Sequence, residues 1–110
     1  MTVNDFRRIA LAMDGAVEGA HMQHPDFRAN GKIFATIYPD GRRGMMKLTP
    51  DLQRDYIRAH PTMFEPASGA WGRQGCTTVH LSMADAAIVR AAMTHARRNT
   101  AKTPTRSKRR

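Results

Sequence analysis

A seven-residue segment at positions 69–75 combines the residue types that could contact a flat polar ligand. It contains three glycines and Trp71, the single tryptophan of the chain, followed by Arg73 and Gln74. An exposed indole can stack on a nucleobase, while a guanidinium group and an amide can hydrogen-bond to the edge of the base. Because glycine adopts backbone conformations that other residues resist, we expect this segment to be a shaped, ordered loop.

Three roles for Trp71 are compatible with the sequence. It could stack on a base or another flat ligand, or it could anchor the loop to a sheet with its N–H bonded to a backbone carbonyl. It could also form the wall of a pocket for a small molecule or a peptide. A lone tryptophan in a small domain is most often structural, but three glycines so close together indicate that another group approaches the backbone.

A turn at residues 38–44, Tyr-Pro-Asp-Gly-Arg-Arg-Gly, is the second candidate contact region. Proline restricts φ and Gly41 accepts a positive φ, so the pattern predicts a tight turn between two strands. Arg42 and Arg43 would then lie at a protruding tip, where guanidinium groups can contact phosphates or enter a minor groove. The alternative is a solvated turn whose arginines keep a hairpin soluble.

Two further pairs of charged residues lie on or near the expected strands. Lys32 and Lys47 are placed on strands that could be neighbours, and there they could line one face of a sheet or simply face solvent. Asp26 and Arg28 could pair across a turn, and such a pair contributes little when it is exposed.

The formal net charge of +9 is distributed unevenly along the chain. Residues 1–96 contain 11 Lys/Arg and 9 Asp/Glu, whereas residues 97–110 contain seven Lys/Arg and no acid. The bulk of the chain is therefore nearly neutral, and most of the excess lies in a segment that begins with Arg97 and Arg98. We expect residues 99–110 to form a disordered basic tail.

The usual catalytic and metal-binding patterns are missing from the sequence. There is neither a glycine-rich phosphate loop with its lysine nor a nucleophile elbow. Cys76 is the single cysteine, and on a strand His80 would lie about 13 Å from it, too far for proton transfer. His21 and His24 would face opposite sides of a strand, which does not suit a zinc site. We expect a protein that is not an enzyme and that uses no metal or cofactor.

Apolar periodicity and turn signals predict a single α+β domain over residues 1–98. Its order is roughly helix, three strands, helix, two strands, helix, with short links that favour a mainly antiparallel sheet. Capping patterns predict helix starts at Thr2, Thr49 and Ser82. In the second helix, the residues expected to be buried are Leu52, Tyr56 and Ile57. Strands are expected near residues 17–22, 25–29, 32–38, 44–48, 63–66 and 77–81.

Four motifs together carry a resemblance to a known family. They are His-Pro-Asp-Phe-Arg at 24–28, Gly-Lys-Ile-Phe-Ala at 31–35, Lys-Leu-Thr-Pro at 47–50 and the segment at 69–75. In this order and spacing the chain resembles the MmcQ/YjbR family over about residues 5–97. The resemblance implies a compact two-layer α+β domain and DNA binding through a pair of β wings. Cys76 stands where members often carry a bulkier residue such as tryptophan, and the basic tail is not part of the shared pattern.

We therefore expect a DNA-binding protein of the MmcQ/YjbR type with low sequence specificity, acting as a cytoplasmic monomer without membrane association. The residues expected to contact nucleic acid are Lys32, Arg42, Arg43, Lys47, Trp71, Arg73, Gln74, Arg97 and Arg98. The alternative is a protein- or small-ligand-binding module that uses the face beside Trp71, which suits the nearly neutral core better. A tail that binds anionic surfaces in general is a third reading.

Overall fold

The computed structural model describes residues 1–21 and 24–101. These residues form a six-stranded antiparallel sheet with four helices, which confirms the predicted α+β class. Four strands precede the second helix, and the glycine-rich segment forms a short helix. In chain order the elements are α1 (Val3–Leu11), β1 (Val17–His21), β2 (His24–Ala29), β3 (Lys32–Ile37), β4 (Arg43–Lys47), α2 (Pro50–Ala59), β5 (Phe64–Pro66), α3 (Gly69–Arg73), β6 (Cys76–His80) and α4 (Ala86–Arg98).

The strands pair in the order β1-β2-β3-β4-β6-β5, and every pair is antiparallel. Asn30 and Gly31 have φ values of 54° and 75°, so the β2–β3 link is the tight turn that the Asn-Gly pair predicts. Gly41, with φ of 67°, supports the predicted turn between β3 and β4. These local turns place β2, β3 and β4 side by side.

One face of the sheet carries the hydrophobic core against the helices. Phe6 of α1 lies directly over β4, because a Cβ on Gly44 would come within 2.6 Å of its ring. Tyr56 of α2 meets the Phe64 ring of β5 edge-on at 5.6 Å between centroids. Burial of apolar side chains on this face is the main driving force for the fold. The fully buried core includes Phe6, Phe27, Phe34, Ala35, Met46, Val79, Val89 and Met93.

Two of the three predicted helix starts are confirmed, and the third is wrong. Thr2 and Asp5 form a capping box, and the Thr49 hydroxyl accepts from the Leu52 N–H. The last helix is capped by Asp85, whose carboxylate accepts from the Ile88 N–H at 3.1 Å. The predicted cap, Ser82, lies inside a 3₁₀ turn that precedes the helix.

The burial predicted for α2 is also wrong in detail. Leu52, Tyr56 and Ile57 pack at the margin of the core and are only partly buried. The buried residue of this helix is Gln53, which is 7% exposed. A polar residue can occupy this position because backbone carbonyls of two other elements accept its hydrogen bonds.

The packed domain continues past the end of α4. Thr100 is 3% exposed, and its hydroxyl bonds to the Arg97 carbonyl and accepts from the Asn30 amide. The rest of the expected tail, residues 102–110, lies outside the described residues. Among residues 1–21 and 24–101, no helix is long and apolar enough to cross a membrane.

The segment predicted to be a loop is the short helix α3, and the protein's own backbone explains its glycines. A Cβ on Gly72 would lie 1.9 Å from the Ala67 carbonyl oxygen, and one on Gly75 would lie 2.0 Å from the Leu48 carbonyl oxygen. Gly69 has φ of 65° with open space around it, so there the requirement is conformational. The close approach that the glycines indicated is therefore internal packing.

These differences predict that two alanine substitutions lower the free energy of unfolding by different amounts. Gly72→Ala forces a methyl group into a backbone carbonyl, and we expect the free energy of unfolding to fall by about 3 kcal/mol. Gly69→Ala places alanine at a positive φ without a clash, and we expect a loss of about 1 kcal/mol. Urea denaturation followed by circular dichroism measures both. Equal losses for the two variants would contradict the packing role of Gly72.

Candidate functional site

The sheet face away from α1 and α4, which we call the open face, carries a mixed polar and aromatic surface. Cross-strand pairing aligns Thr36, Met45 and Thr78 in one row. Two positions further along β4, on the same face, Lys47 pairs with Cys76. Since side chains alternate along a strand, these residues face away from core residues such as Met46. Thr36, Thr78 and Cys76 are buried even so, whereas Met45 and Lys47 are half-buried and therefore partly accessible from this side.

Helix α3 places Trp71 at the edge of the open face, above a cleft of about 570 Å³. Trp71 is 61% exposed and lines the cleft, so it is not a buried anchor of the loop, which is one of its three possible roles. The Lys47 ammonium group lies 5.5 Å from the centroid of the indole ring, within cation–π distance. The cleft is lined by His24, Ile33, Thr36, Tyr38, Met45, Lys47, Ala67, Ser68, Trp71 and Cys76.

A second depression of about 490 Å³, the basic hollow, adjoins this cleft. Both are lined by Ile33 and Lys47, so they lie side by side. Within residues 1–21 and 24–101, neither Lys32 nor Lys47 forms an ion pair. The lining of the basic hollow is Arg28, Gly31, Lys32, Ile33, Lys47, Ala96, Asn99 and Thr100.

Arg28 is the third cation of the basic hollow, and it is bound to Asp26. Its Nε and Nη2 donate to the two carboxylate oxygens of Asp26 at 2.8 and 3.1 Å. Those hydrogen bonds and the carboxylate charge raise the pKa of Arg28. The predicted pairing of Asp26 with Arg28 is thus confirmed, but it does not cross a turn: both residues lie on β2, and the Asp26 side chain is fully buried.

The β3–β4 turn contributes fewer available charges than the sequence suggests. The Arg43 Nε donates to Asp40 at 2.8 Å, and the Arg43 guanidinium lies 4.5 Å from the centre of the Tyr38 ring. Hydrogen bonds from the Arg42 backbone N–H and the Arg43 side chain lower the pKa of Asp40. The Arg42 side chain is exposed and makes no ion pair within the described part of the chain.

The other predicted contact residues are divided between α3 and α4. Arg73 and Gln74 are exposed at the end of α3, where the Gln74 N–H closes the helix by donating to carbonyls of that helix. On α4, the Arg97 Nε donates to the Asp14 carbonyl at 2.9 Å, which ties that helix to the α1–β1 loop. Arg98 is exposed. The structure thus brings together Lys32, Lys47 and Trp71, with Arg42 and Arg43 at the opposite end of β4.

Sequence reasoning did not select the cleft residues Thr36, Tyr38 and Met45. Strand alternation alone places Thr36 with Tyr38, and Met45 with Lys47, on common faces. Cys76 is buried, and burial raises the pKa of its thiol. It therefore contributes a small neutral wall to the cleft. Among the described residues, no group of three His, Cys, Asp or Glu could hold a metal ion.

Gln53 fixes the position of α3 relative to this surface. Its Nε2 donates to the Gly72 carbonyl at 2.9 Å and to the Cys76 carbonyl at 3.0 Å. A single buried amide thereby joins α2, α3 and β6. Sequence inspection gives no signal for this role, because one glutamine in an amphipathic helix resembles any solvated one.

This geometry predicts a pH-dependent effect of Gln53→Glu. The introduced carboxylate would face two carbonyl oxygens, so its folded-state pKa should rise above the ordinary value near 4.3. Because a protonated acid can still donate once, the loss of stability should be about 2 to 4 kcal/mol at neutral pH and smaller as pH falls.

Urea denaturation at neutral pH and near pH 5 measures this change, with the exposed Gln74→Glu as the matched control. A pH-independent loss, or an equal loss in the control, would argue against the buried bridge.

Comparisons with known proteins agree with this architecture. A family model described as YjbR matches residues 11–99. The crystal structure of the Deinococcus radiodurans protein DR2400, which carries a DUF419 domain, superposes with a TM-score of 0.75 at 18% sequence identity. The match covers 94% of this chain and 81% of the other, and at this identity it shows a shared fold. Among curated proteins there is no match.

Proposed function

The chain belongs to the YjbR family, and we propose that it is a non-enzymatic DNA-binding protein that uses its open face and its basic C-terminal segment. The observation that carries this proposal is the exposed Trp71 beside the Lys47 ammonium group at the edge of the open face. An aromatic ring next to a cation suits nucleic acid, which presents flat bases and phosphates at close spacing. Such contacts tolerate many sequences, in keeping with low specificity.

The distribution of ion pairs supports this assignment. Several acids of the domain are bound to arginines of the same domain, including Asp5, Glu18, Asp26 and Asp40. Because these acids are occupied, they compete less with phosphate for Lys47 on the open face and for Lys32, which pairs with the core residue Ala29 and reaches the basic hollow from the edge of the sheet. A nearly neutral domain can therefore offer a locally positive surface.

The C-terminal segment begins beside the same surface. The Asn99 side chain donates to the Lys47 carbonyl at 3.2 Å, and Thr100 lines the basic hollow. Residues 102–110 follow directly and contain five further Lys/Arg. Their charges would add sequence-independent attraction to phosphates close to the open face.

A second candidate is a small-ligand- or protein-binding module that acts through the cleft beside Trp71. The observation in its favour is the cleft itself, because its volume of about 570 Å³ lies within the range of small-molecule sites. In this case the open face would bind its ligand without a strong dependence on salt.

We predict that the salt dependence of DNA binding separates the tail from the folded domain. In the full-length chain, replacing Lys102, Arg106, Lys108, Arg109 and Arg110 with glutamine should weaken binding to duplex DNA. The slope of log association constant against log salt should become shallower by about 4 to 5. Fluorescence anisotropy at several salt concentrations measures this slope.

The remaining binding should then depend on the open face. Adding Lys47→Gln to the tail variant should reduce it further, whereas adding Arg58→Gln, an equal charge change at an exposed position of α2, should not. Loss of all binding in the tail variant would show that the folded domain does not bind DNA. Absence of binding by the unmodified protein would favour the second candidate.

A further inference from the structure

We infer that the cleft and the basic hollow together form a site for one unpaired nucleotide unit, with its base against Trp71 and its phosphate between Lys32 and Lys47. The assignment rests on the proposed DNA binding and narrows it to single-stranded DNA. It identifies a recognition site with two compartments of different chemistry, and it places one part of the nucleotide in each.

The cleft has the chemistry that a nucleobase requires. Trp71 supplies an exposed ring face, and Ile33, Met45 and Cys76 supply apolar lining. The Tyr38 hydroxyl, which is bonded to the Thr78 hydroxyl at 3.1 Å, keeps hydrogen-bonding capacity for the polar edge of a base, whereas Thr36 is buried. Stacking on an aromatic ring accepts any base, because every base has a π face.

The basic hollow has the chemistry that a phosphate requires. The charge of Arg28 is compensated by Asp26, while Lys32 and Lys47 have no ion-pair partner within residues 1–21 and 24–101. The two lysines therefore leave a local excess of positive charge, and this excess complements a phosphate group. A ligand without an anionic group would leave this charge unused.

The two compartments are adjacent, and Lys47 lies at their boundary. They share Ile33 and Lys47 as lining residues, and the Lys47 ammonium group is 5.5 Å from the indole centroid. One lysine can thus contact the phosphate of a nucleotide whose base lies on Trp71. A plain polyanion lacks the ring, and an apolar peptide lacks the anion, so neither uses both compartments.

Double-stranded DNA cannot use this site without distortion. In a duplex the faces of each base are covered by its neighbours, and exposing one base requires unstacking and unpairing it. The site therefore favours single strands over duplexes. A free nucleoside monophosphate has the same base and phosphate as one unit of single-stranded DNA. An experiment must therefore distinguish these two ligands.

The single tryptophan of the full-length chain makes the test direct, because its fluorescence reports on Trp71 alone. Titration with a thymidine oligonucleotide should quench this fluorescence saturably, whereas a duplex of equal length and heparin should quench it weakly. Thymidine monophosphate should quench it only at much higher concentration. Equal quenching by heparin and by the oligonucleotide would overturn the inference.

Variants of the full-length protein test each compartment by anisotropy with a labelled oligonucleotide. Trp71→Ala should weaken single-strand binding by about 5- to 150-fold, the range expected for loss of one stacked base. Trp71→Phe should restore most of the affinity, and duplex binding should change little in either variant. Lys32→Gln with Lys47→Gln should weaken binding of the oligonucleotide and of the monophosphate, and Arg58→Gln should weaken neither.

The outcomes separate this inference from the proposed function. If the protein binds DNA but Trp71→Ala affects single strands and duplexes equally, the nucleotide site is wrong and DNA binding stands. If the protein binds neither form of DNA, the proposed function is wrong. Saturable quenching by the monophosphate without oligonucleotide binding would overturn the assignment to single-stranded DNA.

Discussion

The close approach of α3 to the backbone around it is the constraint on which the open face depends. Gly72 and Gly75 lie against the carbonyl groups of Ala67 and Leu48, at distances that leave no room for a side chain. Gln53 then joins α2, α3 and β6 through two buried hydrogen bonds. Because Gln53 ties the short helix to α2 and β6, Trp71 can remain exposed and still keep a defined position beside Lys47.

The two faces of the sheet carry different kinds of side chain. Helices α1, α2 and α4 cover the face that carries the large apolar side chains, and their burial stabilises the domain. The strands must still present their alternate side chains on the other face, where hydroxyl groups, lysines and aromatic rings meet α3. Large apolar side chains and polar side chains thus lie on opposite sides of one layer, so the open face can be polar without weakening the core.

The charged side chains of this protein differ in whether they are bound to a partner within the domain, and this difference is more informative than the net charge. Arg28 and Arg43 are each bound to a carboxylate of the same hairpin region, and Arg97 is bound to a backbone carbonyl. These arginines stabilise turns and helix positions, so their positive charge is partly used within the domain. Lys32 and Lys47 differ because neither forms an ion pair within the part of the chain that the structure describes. Their location, and not the net charge of +9, is therefore the basis of the proposed phosphate contact.

Features that depend on neighbouring residues could be predicted from the sequence. The Thr2 capping box, the Asn30-Gly31 turn and the α+β class were predictable because dihedral preferences and capping bonds act over a few positions. Packing between elements was needed to bury Gln53, to place Gly75 against the Leu48 carbonyl, and to bring Trp71 to Lys47. Each of these contacts joins residues far apart in the chain, and it depends on how helices and strands pack, which local preferences do not encode.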